Sequence, residues 1–175
     1  IAGLALIAPL THFNPRVPRP FLSMAIRRPW LRRFFAHTLS IPAAMANMPG
    51  ALSALFGPDP APRDFPLRGG GLMSVRPSAY IAASQDLGAV EADVVPQQAR
   101  YGEIRLPVRI LFGEGDRVLD WREHGEALQR KLPGAELRVI PGGHMIPVTR
   151  AAATAAWLEE TARAVLGEMC NSSGQ

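Results

Sequence analysis

A histidine and a carboxylate each follow an apolar stretch of the sequence, and together they could perform acid–base chemistry. His144 lies in the turn "PGGHMIP" after "LRVI", and Asp116 lies in "GEGD" after "RILF". If these stretches are neighbouring parallel strands, both turns leave the same sheet edge roughly 5 Å apart. A carboxylate so placed fixes the tautomer of the imidazole and stabilises its protonated form. The sequence therefore predicts a proton-transferring pair that still needs a nucleophile.

Three short apolar stretches predict the strands that position this pair. The first is apolar on both faces, as is typical of a strand buried in a parallel sheet, whereas the other two are more mixed. Two helical patterns alternate with the second and third stretches, and this order predicts parallel strands joined by right-handed crossovers. The predicted strands are 1–8, 107–113 and 135–142, and the predicted helices are 120–134 and 147–169.

The stretch from His12 to about Gln98 has a different character. It holds twelve of the seventeen prolines and four of the six methionines, and it shows no convincing strand pattern. We interpret it as a helical insertion whose Met, Phe and Trp residues line an apolar cavity, form a small core of their own, or do both. The glycine run 69–71 is interpreted as a flexible turn. Short helices are predicted at 20–28, 29–40, 42–56, 78–88 and 91–101.

The order of these features resembles the C-terminal half of an α/β-hydrolase, over the chain up to about Leu166. In that family the acid follows a strand in a Gly-x-x-Asp turn, which corresponds here to Gly113 through Asp116. The histidine follows the last strand in a Gly-His turn, which corresponds to Gly143 and His144. The acid and the histidine are 28 positions apart.

The resemblance implies an incomplete α/β-hydrolase fold with three C-terminal parallel strands and flanking helices, plus an all-helical lid insertion. The core would comprise 1–12 and 99–175, and the lid would comprise 13–98.

The resemblance also implies a serine-type hydrolase acting on an ester, a lactone or a similar small apolar substrate. His144 would be the general base and then the acid, and Asp116 would orient it. His12 and Met145 are expected to contact substrate, and no cofactor or metal is expected. Carbon–carbon bond hydrolysis, dehalogenation and epoxide opening share this scaffold, so the reaction subtype stays open.

The chain departs from the family pattern in its nucleophile. The family carries a serine in a Gly-x-Ser-x-Gly elbow, and the sequence contains no such motif. Ser74 and Ser84 lie outside any strand-to-helix turn, and Cys170 is expected after the final helix. The chain also begins within a strand pattern and without methionine. We therefore expect a fragment that is inactive alone, with its nucleophile and an oxyanion donor on a missing N-terminal half.

Other residues compete for these roles. Asp120 is a second candidate acid, but its spacing from Glu123 is that of a helix-capping box, which gives it a structural role. His124 is expected on an exposed helix face, and His37 on a lid helix. Tyr80 is placed on a lid helix, where epoxide hydrolases of this scaffold carry their ring-protonating tyrosines; Tyr101 is a weaker candidate.

Charge is unevenly distributed along the chain. Residues 1–60 hold six arginines and one acid, Asp59, and aromatic residues interleave with arginine pairs in "RRPWLRRFF". A solvated helix face with arginine stems would explain this pattern, and so would a patch for an anionic surface. The second hypothesis is therefore a non-catalytic binding protein, either a hydrolase-derived scaffold or an arginine-rich binder of anionic surfaces.

Composition limits the cellular locations and partners that we expect for the protein. The longest apolar run, 1–10, is half of what a membrane span requires, so no transmembrane segment is expected. A single cysteine excludes a disulfide framework, and we expect a cytoplasmic location. The expected partners are a small apolar ester-like substrate and the N-terminal half of the same fold, and no nucleic acid.

Overall fold

A three-stranded parallel sheet forms the centre of the hydrolase-like core in the computed structural model. The model describes residues 1–172, without the side chains of Pro20 and 168–172. The strands are β1 (Leu4–Ile7), β2 (Val108–Gly113) and β3 (Glu136–Ile140), in the order β1-β2-β3. Both pairs are parallel, with Leu6 opposite Ile110 and Ile110 opposite Leu137. The three predicted parallel strands are confirmed.

The segment between β1 and β2 is helical, as expected. It contains α1 (Pro29–Thr38), α2 (Ser40–Phe56) and α3 (Pro77–Arg100), with short 3₁₀ turns at Arg19–Met24, Gly71–Val75 and Tyr101–Glu103. We call residues 13–98 the helical segment. Its assignment as a separate lid, with core parts at 1–12 and 99–175, stays a prediction, and α3 runs across the boundary proposed at residue 98.

The helix predictions for this segment were wrong at two places. The helix expected at 20–28 is only a 3₁₀ turn, because Arg28 precedes a proline and is held in an extended conformation. The helices expected at 78–88 and 91–101 are a single helix, α3. Gly88 lies at the expected break, yet a glycine costs a helix only about 1 kcal/mol, which the surrounding turns offset.

The glycine run at 69–71 forms a turn whose geometry requires glycine at one position. Gly70 has φ 76°, in the left-handed region that other residues disfavour, and Gly71 then begins a 3₁₀ turn.

Three helices follow the strands of the core. A π-helical turn at Arg122–Glu126 leads into α4 (Ala127–Lys131) after β2, and α5 (Ile146–Thr149) and α6 (Ala151–Ser172) follow β3. Because α6 extends to Ser172, Cys170 belongs to the final helix rather than following it, and that expectation was wrong.

The alternating residues of β2 face two different helical layers, since successive side chains of a strand point to opposite faces. Val108, Ile110 and Phe112 pack with Leu128 and Leu132 on the α4 side. On the other face, Leu111 packs with two residues of the following helices, Ile146 and Trp157. Ile110, Leu111 and Phe112 are fully buried, which makes β2 the central strand of the core.

No single helix in the described part of the chain is long and apolar enough to cross a membrane. α1 and α2 meet the length and composition criteria only when taken together, and they are bent by 79° at the break between them.

Candidate active site

The turn after β2 fixes the position of the Asp116 carboxylate. The side chain is fully buried, and its Oδ1 accepts hydrogen bonds from the backbone amides of Val118 at 2.8 Å and Leu119 at 2.9 Å. The Asp116 amide in turn donates to the Gly113 carbonyl at 3.2 Å, so the turn closes directly on the end of the strand. A carboxylate held by two amide donors has little freedom to move, which leaves Oδ2 pointing in one direction.

Backbone hydrogen bonds join the turn after β3 to the first turn. Glu114 donates to the Ile140 carbonyl and Gly115 to the Gly142 carbonyl, both at 2.8 Å. A Cβ at Gly113 would collide with the Gly143 carbonyl oxygen, so the two turns approach each other more closely than larger residues allow. Gly142 also has φ 145°, which favours glycine. The glycines therefore bring the next residue, His144, against the carboxylate.

His144 and Asp116 form a direct contact. The Nδ1 atom of His144 lies 2.8 Å from Oδ2 of Asp116, and the imidazole is 22% exposed. Because a carboxylate only accepts, the proton belongs on Nδ1 and the lone pair on Nε2. An imidazole in this tautomer can take a proton from a neighbouring hydroxyl through Nε2. The contact that the sequence predicts is present, and the catalytic role of the pair stays a prediction.

The competing acid, Asp120, takes the structural role. Its side chain is exposed, and Oδ1 accepts a hydrogen bond from the Arg122 amide at 2.7 Å at the start of the following helix. The capping box is incomplete, since Glu123 accepts from the side chain of Asn14 instead of returning to Asp120.

The two residues expected to contact substrate lie in different surroundings. Met145 follows His144 directly, is half-buried, and donates its amide to the Leu55 carbonyl of α2 at 3.1 Å. His12 is half-buried with its ring edge-on to Tyr101, at 6.0 Å between centroids. Burial lowers the pKa of His12, and the nearby Lys131 lowers it further. Substrate binding by either residue stays a prediction, and the position of Met145 beside His144 favours Met145.

The placement of His124 was wrong. The sequence predicts an exposed helix face, but the side chain is only 2% exposed. The cause is the π-helical turn, whose extra residue rotates His124 and Gly125 inward. The Nδ1 atom of His124 accepts from the amides of Thr11 at 3.4 Å and His12 at 3.3 Å, which fastens the loop after β1. Burial lowers the pKa of this imidazole.

The remaining hydroxyl candidates are engaged in the helical segment. Tyr80 is buried and donates to the Ser23 carbonyl, and burial raises its pKa. Ser84 is buried and donates to the Met24 carbonyl at 2.6 Å, while Ser74 donates to the Gly71 carbonyl at 2.6 Å. Among the described residues, none of these hydroxyls contacts His144.

No group of three or more His, Cys, Asp or Glu residues in the described part of the chain is arranged to hold a metal ion.

The helical segment encloses an apolar cavity of about 220 Å³. Of its polar lining residues, Ser40, Asn47, Ser74 and Tyr80 each donate to a backbone carbonyl. These four side chains therefore use hydrogen-bond donors within the protein, and none of the lining side chains is charged. The apolar lining residues include Phe21, Met24, Met48, Leu52, Leu55 and Phe65.

The helical segment is fastened to the turn that bears His144 and to Arg150 just beyond it. Besides the Leu55–Met145 bond, Arg150 pairs with Asp59 at 2.7 Å. A Cβ at Gly143 would collide with the Gly57 carbonyl oxygen. The sequence offered no signal for these contacts, because each depends on two turns meeting in space.

Comparison with known proteins places this geometry in a class. No protein-family model and no curated protein matches the chain. Solved structures do match. A thermophilic esterase from Thermogutta terrifontis aligns with TM-score 0.60 and 21% identity over 94% of this chain and 56% of its own. The enol-lactonase from Burkholderia xenovorans LB400 aligns with TM-score 0.57 and 18% identity over 89% of this chain and 54% of its own.

The description of a third matching structure names its fold. An α/β hydrolase fold protein from Burkholderia ambifaria aligns with TM-score 0.60 and 20% identity, over 87% of this chain and 56% of its own. The chain thus spans about half the length of the structures that it resembles. It has the α/β-hydrolase fold, represented by three parallel strands with flanking helices.

Proposed function

We propose that this chain supplies the acid and the histidine of a serine-type α/β-hydrolase. The observation that carries the proposal is the 2.8 Å contact between His144 Nδ1 and Asp116 Oδ2 at the shared edge of the sheet. The nucleophile and the oxyanion donors come from a part of the fold that precedes this chain. The helical segment serves as the lid.

The chemistry follows from the tautomer that the carboxylate selects. Nε2 of His144 removes the proton from the serine hydroxyl as the oxygen attacks the substrate carbonyl, and Asp116 stabilises the imidazolium that results. The imidazolium then protonates the leaving oxygen. The same cycle with water as the attacking group hydrolyses the acyl-enzyme, while Asp116 stays ionised throughout.

The proposed substrate is an ester, a lactone or a similar small apolar molecule. The lining of the cavity supports this class, since most of its side chains are apolar and none is charged. A dry apolar cavity of about 150 Å³ is large enough to take benzene. A space of about 220 Å³ therefore accommodates an aryl or short alkyl group. An esterase and an enol-lactonase are among the proteins that share the fold.

The test uses the parent protein, in which this chain is joined to its preceding segment, and a soluble nitrophenyl ester. His144→Ala should lower kcat by about 10⁶ and Asp116→Ala by about 10⁴, as for the equivalent roles in other serine hydrolases. His37→Ala is the matched control, because His37 is exposed on α1, and it should leave kcat unchanged. Equal activity of the His144→Ala variant and the parent would refute the proposal, and a parent without hydrolytic activity would favour a non-catalytic binding protein.

A further inference from the structure

The outer surface of α1 carries the residues that a water-facing helix normally buries. Trp30 is 65% exposed and Phe34, one turn later, is 59% exposed. Arg32 lies on the opposite, inner face, where it is only 7% exposed and donates to the Ile26 carbonyl and to Ser84. The helix therefore turns a charge inward and two aromatic rings outward, the reverse of an ordinary amphipathic surface helix.

The neighbouring helix is also apolar where it is exposed. None of the 17 residues of α2 is charged, although much of the helix is exposed. Ile41 is 50% exposed and Met45, one turn later, 56%, and Leu39 between the two helices is 51% exposed. We call Trp30, Leu31, Phe34, Leu39, Ile41 and Met45 together the corner surface.

Three arginines adjoin the corner surface along the chain. Arg27, Arg28 and Arg33 are exposed, and none of them takes part in an ion pair with a described residue. The first 58 residues hold six arginines and no acid, so no acid lies close to these three along the chain. Glu91 of α3 lines the same two pockets as Arg27 but does not form an ion pair with it.

Exposed Trp, Phe and Leu residues bordered by arginine are what interfacial helices present to lipid headgroups. A cluster of uncompensated cations adds attraction to an anionic surface and discriminates against a neutral one. We propose that the corner surface docks on an anionic phospholipid surface, with its apolar side chains among the headgroups and Arg27, Arg28 and Arg33 on the phosphates. This inference does not rest on the proposed catalytic function.

The first experiment measures co-sedimentation of the 175-residue chain with lipid vesicles. Vesicles of phosphatidylcholine containing phosphatidylglycerol should retain the chain, vesicles of phosphatidylcholine alone should not, and added salt should weaken the retention. Replacing Arg27, Arg28 and Arg33 by alanine should reduce partitioning about a hundredfold. Replacing Arg63, Arg68 and Arg76 removes the same charge from exposed positions elsewhere in the helical segment and should have a much smaller effect.

A second pair of variants tests the apolar contribution. Trp30→Ser with Phe34→Ser should abolish vesicle binding, whereas Leu67→Ser with Met73→Ser, also exposed, should leave it intact. Equal losses from the two arginine triples would show that net charge alone drives binding and would overturn the proposal. Failure to bind the phosphatidylglycerol vesicles would also overturn it. If light scattering then shows that the Trp30 and Phe34 substitutions dissociate an oligomer, the occupant is a second copy of the chain.

Discussion

The imidazole of His144 and the carboxylate of Asp116 meet at 2.8 Å with unequal access to solvent. The carboxylate is fully buried, whereas the imidazole is 22% exposed. Since Nδ1 faces the carboxylate, the pair can exchange a proton with a partner only through Nε2. The buried Asp116 carboxylate is therefore held in place, whereas the more exposed His144 imidazole is the group that a substrate can reach.

Substitutions at Asp116 should separate its structural role from its chemical one. Asp116→Ala leaves two backbone amides and the imidazole without their acceptor, and it should lower the free energy of unfolding by about 2–4 kcal/mol. Asp116→Asn keeps an oxygen for the Val118 and Leu119 amides and should cost about 1 kcal/mol. Urea unfolding of the chain measures both values. Asp120→Asn is the control, because both residue types cap helices well and the change should stay within about 0.5 kcal/mol.

The isolated chain should form no acyl-enzyme with an activated ester such as nitrophenyl acetate. Ser84 is buried and hydrogen-bonded within the helical segment, and Ser74 is bonded to its own turn. Stopped-flow absorbance should therefore show no stoichiometric burst of nitrophenol. A burst that persists in Cys170→Ala would reveal a nucleophile within the chain and would contradict this expectation.

Stability should fall in mild acid because of His124. Burial lowers the pKa of this imidazole from its ordinary value of 6.5, so between the two pKa values the unfolded chain binds a proton that the folded chain does not. The contribution of the neutral, buried His124 to the free energy of unfolding is therefore complete above pH 6.5. It decreases as the pH falls through the window below that value. His12 acts in the same direction, since burial also lowers its pKa.

Urea titrations at a series of pH values, for the chain and for His124→Asn, test whether His124 causes this pH dependence of stability. The asparagine oxygen can still accept from the Thr11 and His12 amides but does not titrate, so the acid-side slope should become shallower. Identical slopes for the two proteins would assign the pH dependence to other groups.

Two glycine-to-alanine substitutions should have opposite signs. At Gly143 a Cβ would collide with the Gly57 carbonyl oxygen, so Gly143→Ala should destabilise the chain by about 1–3 kcal/mol. At Gly167, in α6, a Cβ meets nothing within 4 Å, and Gly167→Ala should stabilise by about 0.5–1 kcal/mol through helix propensity. Thermal unfolding of the two variants provides the comparison. Equal effects at both positions would mean that the contact between the histidine turn and Gly57 is loose in solution.

Local patterns in the sequence predicted the strands and the pair at their shared edge. The apolar runs marked β1, β2 and β3, and parallel pairing dictates that the turns bearing Asp116 and His144 meet. The sequence pattern also predicted that α1 and α2 are helices, and Pro29 marks the start of α1.

Features that depend on tertiary contacts could not be predicted from local patterns in the sequence. The inward turn of His124 depends on a π-helical turn, which has no periodic signature in the sequence. The bonds of Leu55 to Met145 and of Asp59 to Arg150 likewise join residues far apart along the chain. Even in α1 the sequence predicted the helix but not that Arg32 would face inward, because that orientation is set by Ser84 of another helix.

The attachments of the helical segment determine how it can move as the proposed lid. One attachment is the C-terminal end of α2, where the Leu55 carbonyl accepts from Met145 of the histidine turn; just beyond it, Asp59 pairs with Arg150. A second is the end of α3, where the Gln98 carbonyl accepts from Lys131 at 2.8 Å. A third is the start of the segment, where Asn14 donates to Glu123. A rigid lid could therefore open only by breaking at least one of these contacts.

The length of α2 then sets the distance between two features of the molecule. The helix has 17 residues. With a helical rise of about 1.5 Å per residue, it spans about 25 Å. Its C-terminal end is bonded to the histidine turn through Leu55, and its N-terminal end carries Ile41 and Met45 of the corner surface. Attachment of the corner surface to lipid would therefore hold the molecule about 25 Å from the turn that bears the imidazole.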